Sequence, residues 1–296
     1  SFFGKLGIDS FKNALEEDNY ASRFKEYCEL LNKVAEAVET QKQNTLNDLN
    51  LKLENIQKEI NGTDSILNNN LKKIEKHAFF NCVNITAVTV PDTVTSIGYY
   101  AFSEMDSLTS VKLPETITSI EGKAFAYCIS LETLTIPSKV TEIGEGAFYG
   151  CEALKSLTIP SGVTTIGEKF FYRCYALETV NILGNITNIG PCAFYECKVL
   201  TSVNIPDTVT SIGEQAFYYC KALTSLNVPD IVTSIGKQAF YYCSSITSIN
   251  IPSKITAIAD YTFHGCQSLL SVTVPDTFSF ETSIYMKSPS FDLVYR

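Results

Sequence analysis

Val209-Thr210-Ser211-Ile212-Gly213-Glu214-Gln215-Ala216-Phe217 is one pass through a unit that returns every 23 residues. Its isoleucine stands in an unbroken file of Ile74, Ile97, Ile120, Ile143, Ile166, Ile189, Ile212, Ile235 and Ile258. A fixed period between ~20 and ~50 residues marks a repeat architecture, in which one unit cannot bury its apolar face alone and is stabilised by stacking on its neighbours. The sequence therefore specifies a solenoid before any local propensity is weighed.

Outward from the isoleucine, each column has its own chemistry. Ala-Phe recurs at 78–79, 101–102, 124–125, 147–148, 193–194, 216–217 and 239–240, with Phe170-Phe171 and Thr262-Phe263 as variants. Nine phenylalanines in one register predict a buried aromatic spine, and the two variants are where local distortion is expected. Three residues on stand Cys82, Cys128, Cys151, Cys174, Cys197, Cys220, Cys243 and Cys266, with Met105 filling the slot once. Same-register residues serve every layer alike and methionine suffices in one, so these are read as free, buried thiols acting as small hydrophobes. Cys192 lies outside the column, at a position expected to be solvated, and is the candidate reactive thiol.

After the cysteine the pattern Leu-x-x-Val/Leu-x-Ile-Pro predicts a short strand closed by proline. Strands from successive repeats pair in parallel into one long sheet. Its exposed columns are Ser110, Thr133, Ser156, Thr179, Ser202, Ser225, Ser248 and Ser271, then Thr135, Thr158, Asn181, Asn204, Asn227, Asn250 and Thr273. Val-Thr-x-Ile-Gly follows as a second short strand or bridge, its glycine (Gly144, Gly167, Gly213) suiting a turn with positive φ.

The unit C-x-x-L-x-x-L/V-x-I-P-x-x-V-T-x-I-G-x-x-A-F resembles the BspA-type leucine-rich repeats over residues 72–276. The resemblance implies an α/β repeat solenoid, a right-handed leucine-rich-repeat superhelix with a parallel β-sheet, used on the surfaces of host-associated bacteria and some protists and linked to adhesion. It implies no residue-level site. The organisation expected is an α-helical N-terminal cap or short coiled coil (1–70), nine 23-residue repeats (71–276), and a C-terminal cap or a boundary leading into more protein (277–296). In the first segment Leu46, Leu49, Leu53, Ile56 and Ile60 keep 3-4-3-4 spacing, as do Leu31, Val34 and Val38. One long helix with a stutter and a helical hairpin both satisfy that pattern, and the helices either cap the stack or self-associate.

Composition narrows the function. A net charge of -9 and pI near 4.9 argue against nucleic acid and against a basic membrane-docking face. No stretch reaches the ~18 apolar residues of a membrane span. The chain opens at Ser1 rather than Met, so the expectation is that its natural start, and any export signal, lies upstream. The only histidines, His77 and His264, read as surface or packing residues, and no nucleophile, metalloprotease or phosphate-loop motif is present. Glu145, Glu168, Glu214 and Asp260 share a register and read as a solvated acidic strip rather than a calcium site. No enzyme, cofactor or metal is called for. Tyr149, Tyr172, Tyr195, Tyr218 and Tyr241 follow the phenylalanine in five consecutive repeats. With Asn181, Asn204, Asn227 and Asn250 they form the candidate binding surface, since tyrosine offers wide contact at low entropic cost. The expected role is that of a cell-surface or secreted interaction module for a protein or glycan of a host cell or extracellular matrix. The alternatives are a structural spacer and a carbohydrate-binding module built on the tyrosines. Sequons at Asn61, Asn84 and Asn185 matter only in a eukaryotic secretory pathway.

Overall fold

Residues 29–30, 71–277 and 292–295 are described by a computed structural model. Two parallel ladders follow the stack, each stepping by 23 residues. The isoleucine ladder comprises Lys73–Ile74, Ser96–Ile97, Ser119–Ile120, Glu142–Ile143, Thr165–Ile166, Asn188–Ile189, Ser211–Ile212 and Ser234–Ile235. It pairs in two runs of four, with registers such as Ile97↔Ile120 and Ile189↔Ile212. The second ladder includes Ser156–Ile159, paired in register with Thr179–Ile182, and Ser248–Asn250, paired with Ser271–Val274. Between 71 and 277 the coils are strands and turns with no helix.

The long sheet read from the sequence is interrupted. It divides into sheets of two, three and three strands, and coils near Thr133 and Ser225 are joined by single bridges to Ser156 and Ser202. Strands of two to four residues make only one or two bonds per rung, so losing one bond reduces a strand to a bridge. Beyond Val274, Asp292–Tyr295 adds another parallel strand, with Ser271 opposite Asp292. The expected helical seam and the apolar residues Phe278, Phe280, Ile284 and Tyr285 lie outside the described residues; Glu29 and Leu30 are helical.

Cohesion is greatest where the sequence announces no regular element. In the turn segment after each isoleucine, alternate N–H groups donate to the following coil: Lys123 to the Glu145 carbonyl (2.9 Å), Phe125 to Ala147 (2.9 Å) and Tyr127 to Tyr149 (2.6 Å). On the isoleucine ladder the direction reverses, as in Gly144 N–H to the Ile120 carbonyl at 2.8 Å. Aiming the turn's amides along the stack requires two left-handed residues per coil. They fall in two columns, Lys123, Lys169, Cys192, Gln215 and their equivalents, then Glu104, Tyr127, Arg173, Glu196, Tyr219 and theirs, with φ between 53° and 60° at the non-glycine positions. A non-glycine residue there costs roughly 1–2 kcal/mol, and a β-branched one would be a true outlier. Neither column contains one, in a chain otherwise rich in threonine.

This overturns the role expected of the glycine after isoleucine. Gly144, Gly167 and Gly213 are not among the glycines with positive φ, which among the described residues are Gly146, Gly150 and Gly265. What most of this column needs is room. A Cβ on Gly213 would stand 2.5 Å from the Pro191 nitrogen and 2.6 Å from the Gly190 carbonyl carbon, and one on Gly144 2.3 Å from the Gly122 nitrogen. The proline also acts through its carbonyl, which accepts the N–H three residues on, as in Pro137 to Val140 at 3.1 Å. One coil has Leu183 instead; its N–H donates to the Ile159 carbonyl at 3.0 Å, a bond proline cannot make, and its side chain is 57% exposed.

Inside, the isoleucine, phenylalanine and cysteine columns merge into one core. Successive phenylalanine rings from Phe79 to Phe263 lie 5.0 to 5.9 Å apart, and from Phe102 onward they are fully buried. Where alanine precedes the ring, the Phe N–H reaches that alanine's carbonyl from the coil before at 2.7 to 2.9 Å; Phe170 and Thr262 lengthen this bond to 3.2 and 3.1 Å. The bulkier side chain thus holds the coils slightly apart.

Each column thiol from Cys128 to Cys266 is free and donates to the phenylalanine carbonyl of the preceding coil at 3.0 to 3.2 Å. Cys82 departs from the expected free column, because its sulfur is in a disulfide. Cys192 is not solvated as expected but half-buried beside Lys169, its Sγ 3.5 Å from Gln215 Oε1. That burial pushes its thiol up, away from reactivity.

Substitutions in the core and turns, and a pH series, test this packing. Phe194→Ala deletes a fully buried ring and should cost ~3–5 kcal/mol in a denaturant titration; a loss below ~1 kcal/mol contradicts the spine. Gly146→Ala, at positive φ, should cost ~1–2 kcal/mol. Gly213→Ala, whose Cβ meets backbone, should cost more, at or beyond the top of the ~1–3 kcal/mol range for overpacking, and the reverse ranking would refute close approach. Burial also raises the column thiols, Cys128 and Cys266 to about 12. A raised value stabilises the fold while folded and unfolded thiols are both protonated. That contribution is intact below ~9, the ordinary thiol range, and is lost as pH climbs towards 12. Thermal melts followed by circular dichroism should hold steady up to about pH 9 and fall above it, less steeply in Cys128→Ala.

Candidate interaction surface

The same spacing that buries one face of each coil repeats the other outward. On the strand wall, from Thr133 to Thr273, the two outward columns hold only Ser, Thr and Asn, and they are exposed as far as Asn250. Strand register fixes the neighbours: Asn181 stands beside Thr158, and Asn250 beside Thr273. On the isoleucine ladder a separate threonine file ties its hydroxyls to the stack, as Thr118 Oγ1 donates to the Thr95 carbonyl (3.2 Å) and Thr210 to Thr187 (3.1 Å).

The five predicted tyrosines come together as one file of half-buried rings on the turn segment. Tyr149, Tyr172, Tyr195, Tyr218 and Tyr241 follow one another at 4.6, 4.5, 4.5 and 4.7 Å, with planes inclined by 10° or less. His264 continues the file at 4.9 Å from Tyr241, which makes it a packing residue. Tyr127 closes the other end edge-on, 5.0 Å from Tyr149. Burial, and then the neighbouring phenols, push the Tyr149 and Tyr195 hydroxyls well above the usual tyrosine range. They therefore stay protonated at any physiological pH. Tyr219 and Tyr242 form a shorter second file at 4.7 Å. Glycine makes space for it: a Cβ on Gly265 would stand 2.7 Å from the Tyr242 ring, and one on Gly150 2.9 Å from Tyr127.

Sequence reading missed the cations beside these rings. Arg173 lies over Tyr172 at 5.3 Å, Lys198 over Tyr175 at 4.2 Å and Lys221 over Tyr219 at 5.2 Å. Glu196 takes contacts from Lys198 (3.3 Å) and Arg173 (4.0 Å). For Arg173 and Lys221 the signal was a cation one or two residues after the tyrosine, and for Lys198 a cation one 23-residue repeat beyond Tyr175, legible only once the turn geometry is known. The asparagine and tyrosine files occupy different segments of the coil, strand and turn. Of the acidic register, Glu168 pairs with Lys169 at 2.6 Å. Among the described residues no group of three His, Cys, Asp or Glu is placed to hold a metal ion, and no helix is long and apolar enough to cross a membrane.

Solved structures similar to this chain are repeat proteins of the same architecture. A leucine-rich repeat protein from Eubacterium ventriosum is 25% identical, with 76% of this chain and 70% of that chain covered and a TM-score of 0.50. A leucine rich cell surface protein from Faecalibacterium prausnitzii is 27% identical over 76% and 83%, with a TM-score of 0.42. The T. pallidum leucine rich repeat protein is 27% identical over 59% and 71%, with a TM-score of 0.44. A search of curated proteins finds no match. The model of the BspA type leucine rich repeat region matches residues 50–178 and 164–292, in six copies. The chain belongs to the BspA-type leucine-rich repeat family.

Proposed function

We propose that this chain is a non-enzymatic interaction module, displayed at a cell surface or secreted, that binds a protein of a host cell or extracellular matrix along its strand wall. The observation that carries the reading is the composition of that wall. Over seven coils both outward columns offer hydroxyls and amides and not one charge or bulky group. Short side chains on a paired backbone lose little entropy when a partner docks, and the two columns themselves carry no ion to desolvate. Each coil then adds a modest hydrogen-bonding contribution of ~0.5–1.5 kcal/mol, and affinity accumulates with length. The family's association with surfaces and adhesion supports the location.

The carbohydrate reading of the tyrosines loses ground to geometry. Sugars stack on open ring faces, and in this file each face is covered by the next ring. A spacer remains the second reading, favoured by a stack in which every coil is held only by its neighbours.

The test is binding of the purified chain to an array of matrix proteins, host-surface proteins and glycans, alongside Asn204→Arg/Asn227→Arg and Tyr195→Ala/Tyr218→Ala. Saturable protein binding weakened at least about tenfold by the asparagine pair supports the wall. Binding lost only with the tyrosine pair moves the ligand to the turn segment, and no binding by any form leaves the spacer.

A further inference from the structure

The first coil departs from the repeat in the chemistry of its cysteine. Of the chain's ten cysteines, eight are free and Cys82 is bonded, which leaves Cys28. Repeat symmetry gives the direction in which the Cys82 sulfur points. Every column thiol from Cys128 to Cys266 reaches back 26 residues, to the phenylalanine carbonyl of the coil before. For Cys82 that direction leads out of the stack, because the residue 26 positions earlier is Ile56, ahead of the isoleucine file that opens at Ile74. At this end of the spine Phe79 is only half-buried, whereas Cys82 is 1% exposed. A sulfur so enclosed pairs within its own chain rather than with a second copy.

We propose that Cys82 is joined to Cys28, and that this bond fastens the segment ahead of the repeats over the open end of the stack as a covalent cap. The terminal coil of a solenoid has a neighbour on one side only and needs a cover on the other. The turn amides of the first coil all donate onward, His77 to the Tyr99 carbonyl (3.0 Å), Phe79 to Ala101 (2.7 Å) and Asn81 to Ser103 (2.9 Å), so they secure the coil from one side. A cross-link between residues 28 and 82 secures it from the other, and it disfavours unfolding by closing a long loop in the unfolded chain. Forming the S–S bond removes two protons and two electrons from the two thiols. Both electrons pass by thiol–disulfide exchange to a second disulfide, such as oxidised glutathione, which is reduced to two thiols. The bond therefore forms and persists in oxidising surroundings, as outside the cell, and a reductant releases the cap. The inference is independent of what the strand wall binds.

Two measurements on the full chain, folded in reduced and oxidised glutathione, test it. The first is a peptide map by mass spectrometry after alkylation in denaturant without reductant. A linked pair of peptides carrying Cys28 and Cys82, lost on treatment with dithiothreitol, is the expected result. Alkylation of both residues, or a link from Cys82 to any other cysteine or to a second chain, overturns the pairing. The second is hydrogen exchange. Cys28→Ser, with circular dichroism confirming the fold, should speed exchange at the Phe79 and Asn81 amides by at least about tenfold and leave the Phe217 amide unchanged, and reduction of the wild type should do the same. Unchanged exchange at Phe79 and Asn81 in both experiments overturns the cap even where the link is found. Neither measurement involves the strand wall, so failure of the cap and failure of the proposed binding are separable.

Discussion

Backbone hydrogen bonding from coil to coil is the interaction on which the rest of this structure depends. Strands of two to four residues could not hold the stack by themselves, and the second ladder lapses in places. The turn segment makes up the difference by sending alternate amides into the next coil, while the isoleucine ladder bonds to the coil before. Since buried backbone groups must be paired, the turn has little conformational choice. It takes on two left-handed residues per coil because the alternative, amides pointing into an apolar core, costs more than the strain.

Once the coils are clamped at that spacing, the side chains inherit it. Phenylalanine rings fill the interior as a spine, and each column cysteine from Cys151 onward, small enough to sit beneath one, gives its thiol proton to a carbonyl that already accepts an N–H in its own coil. Met105 stands in the slot once, fully buried, so the slot accepts an apolar side chain without the thiol–carbonyl contact. The tyrosines, one residue beyond the spine, are forced into face-to-face contact by the same rise. Their arrangement follows from the backbone rather than from any preference of aromatic pairs, which would equally accept edge-on geometry.

The period, the buried columns and the polar strand wall were legible in the sequence because each rests on residue type repeated at fixed spacing. The glycine after isoleucine was misread because positive φ and close backbone approach demand the same missing Cβ, and sequence alone cannot separate them. The two left-handed columns escaped notice since Lys, Gln, Glu, Arg and Tyr do not advertise the conformation; their trace was the absence of Val, Ile, Thr and Pro. Cys192 was expected in solvent because its column is polar, whereas Lys169 and Gln215 lie along the same column and half-cover it. For the tyrosines the shared register was legible but the ring orientation was not, because the spacing of the coils decides it.

The exceptions to the repeat separate structural demand from surface choice. Leu183 shows that proline is dispensable when the freed N–H finds the previous coil, and Phe170 and Thr262 show that alanine is replaceable at the expense of a longer hydrogen bond. Packing therefore tolerates variation even in columns it constrains. The strand wall is under no such constraint, since its outward side chains touch no core, yet from Thr133 to Thr273 it admits only three residue types. A column that packing leaves free and that still stays uniform supports the wall as the proposed contact surface, whereas the half-buried tyrosines are held in place by the stack itself.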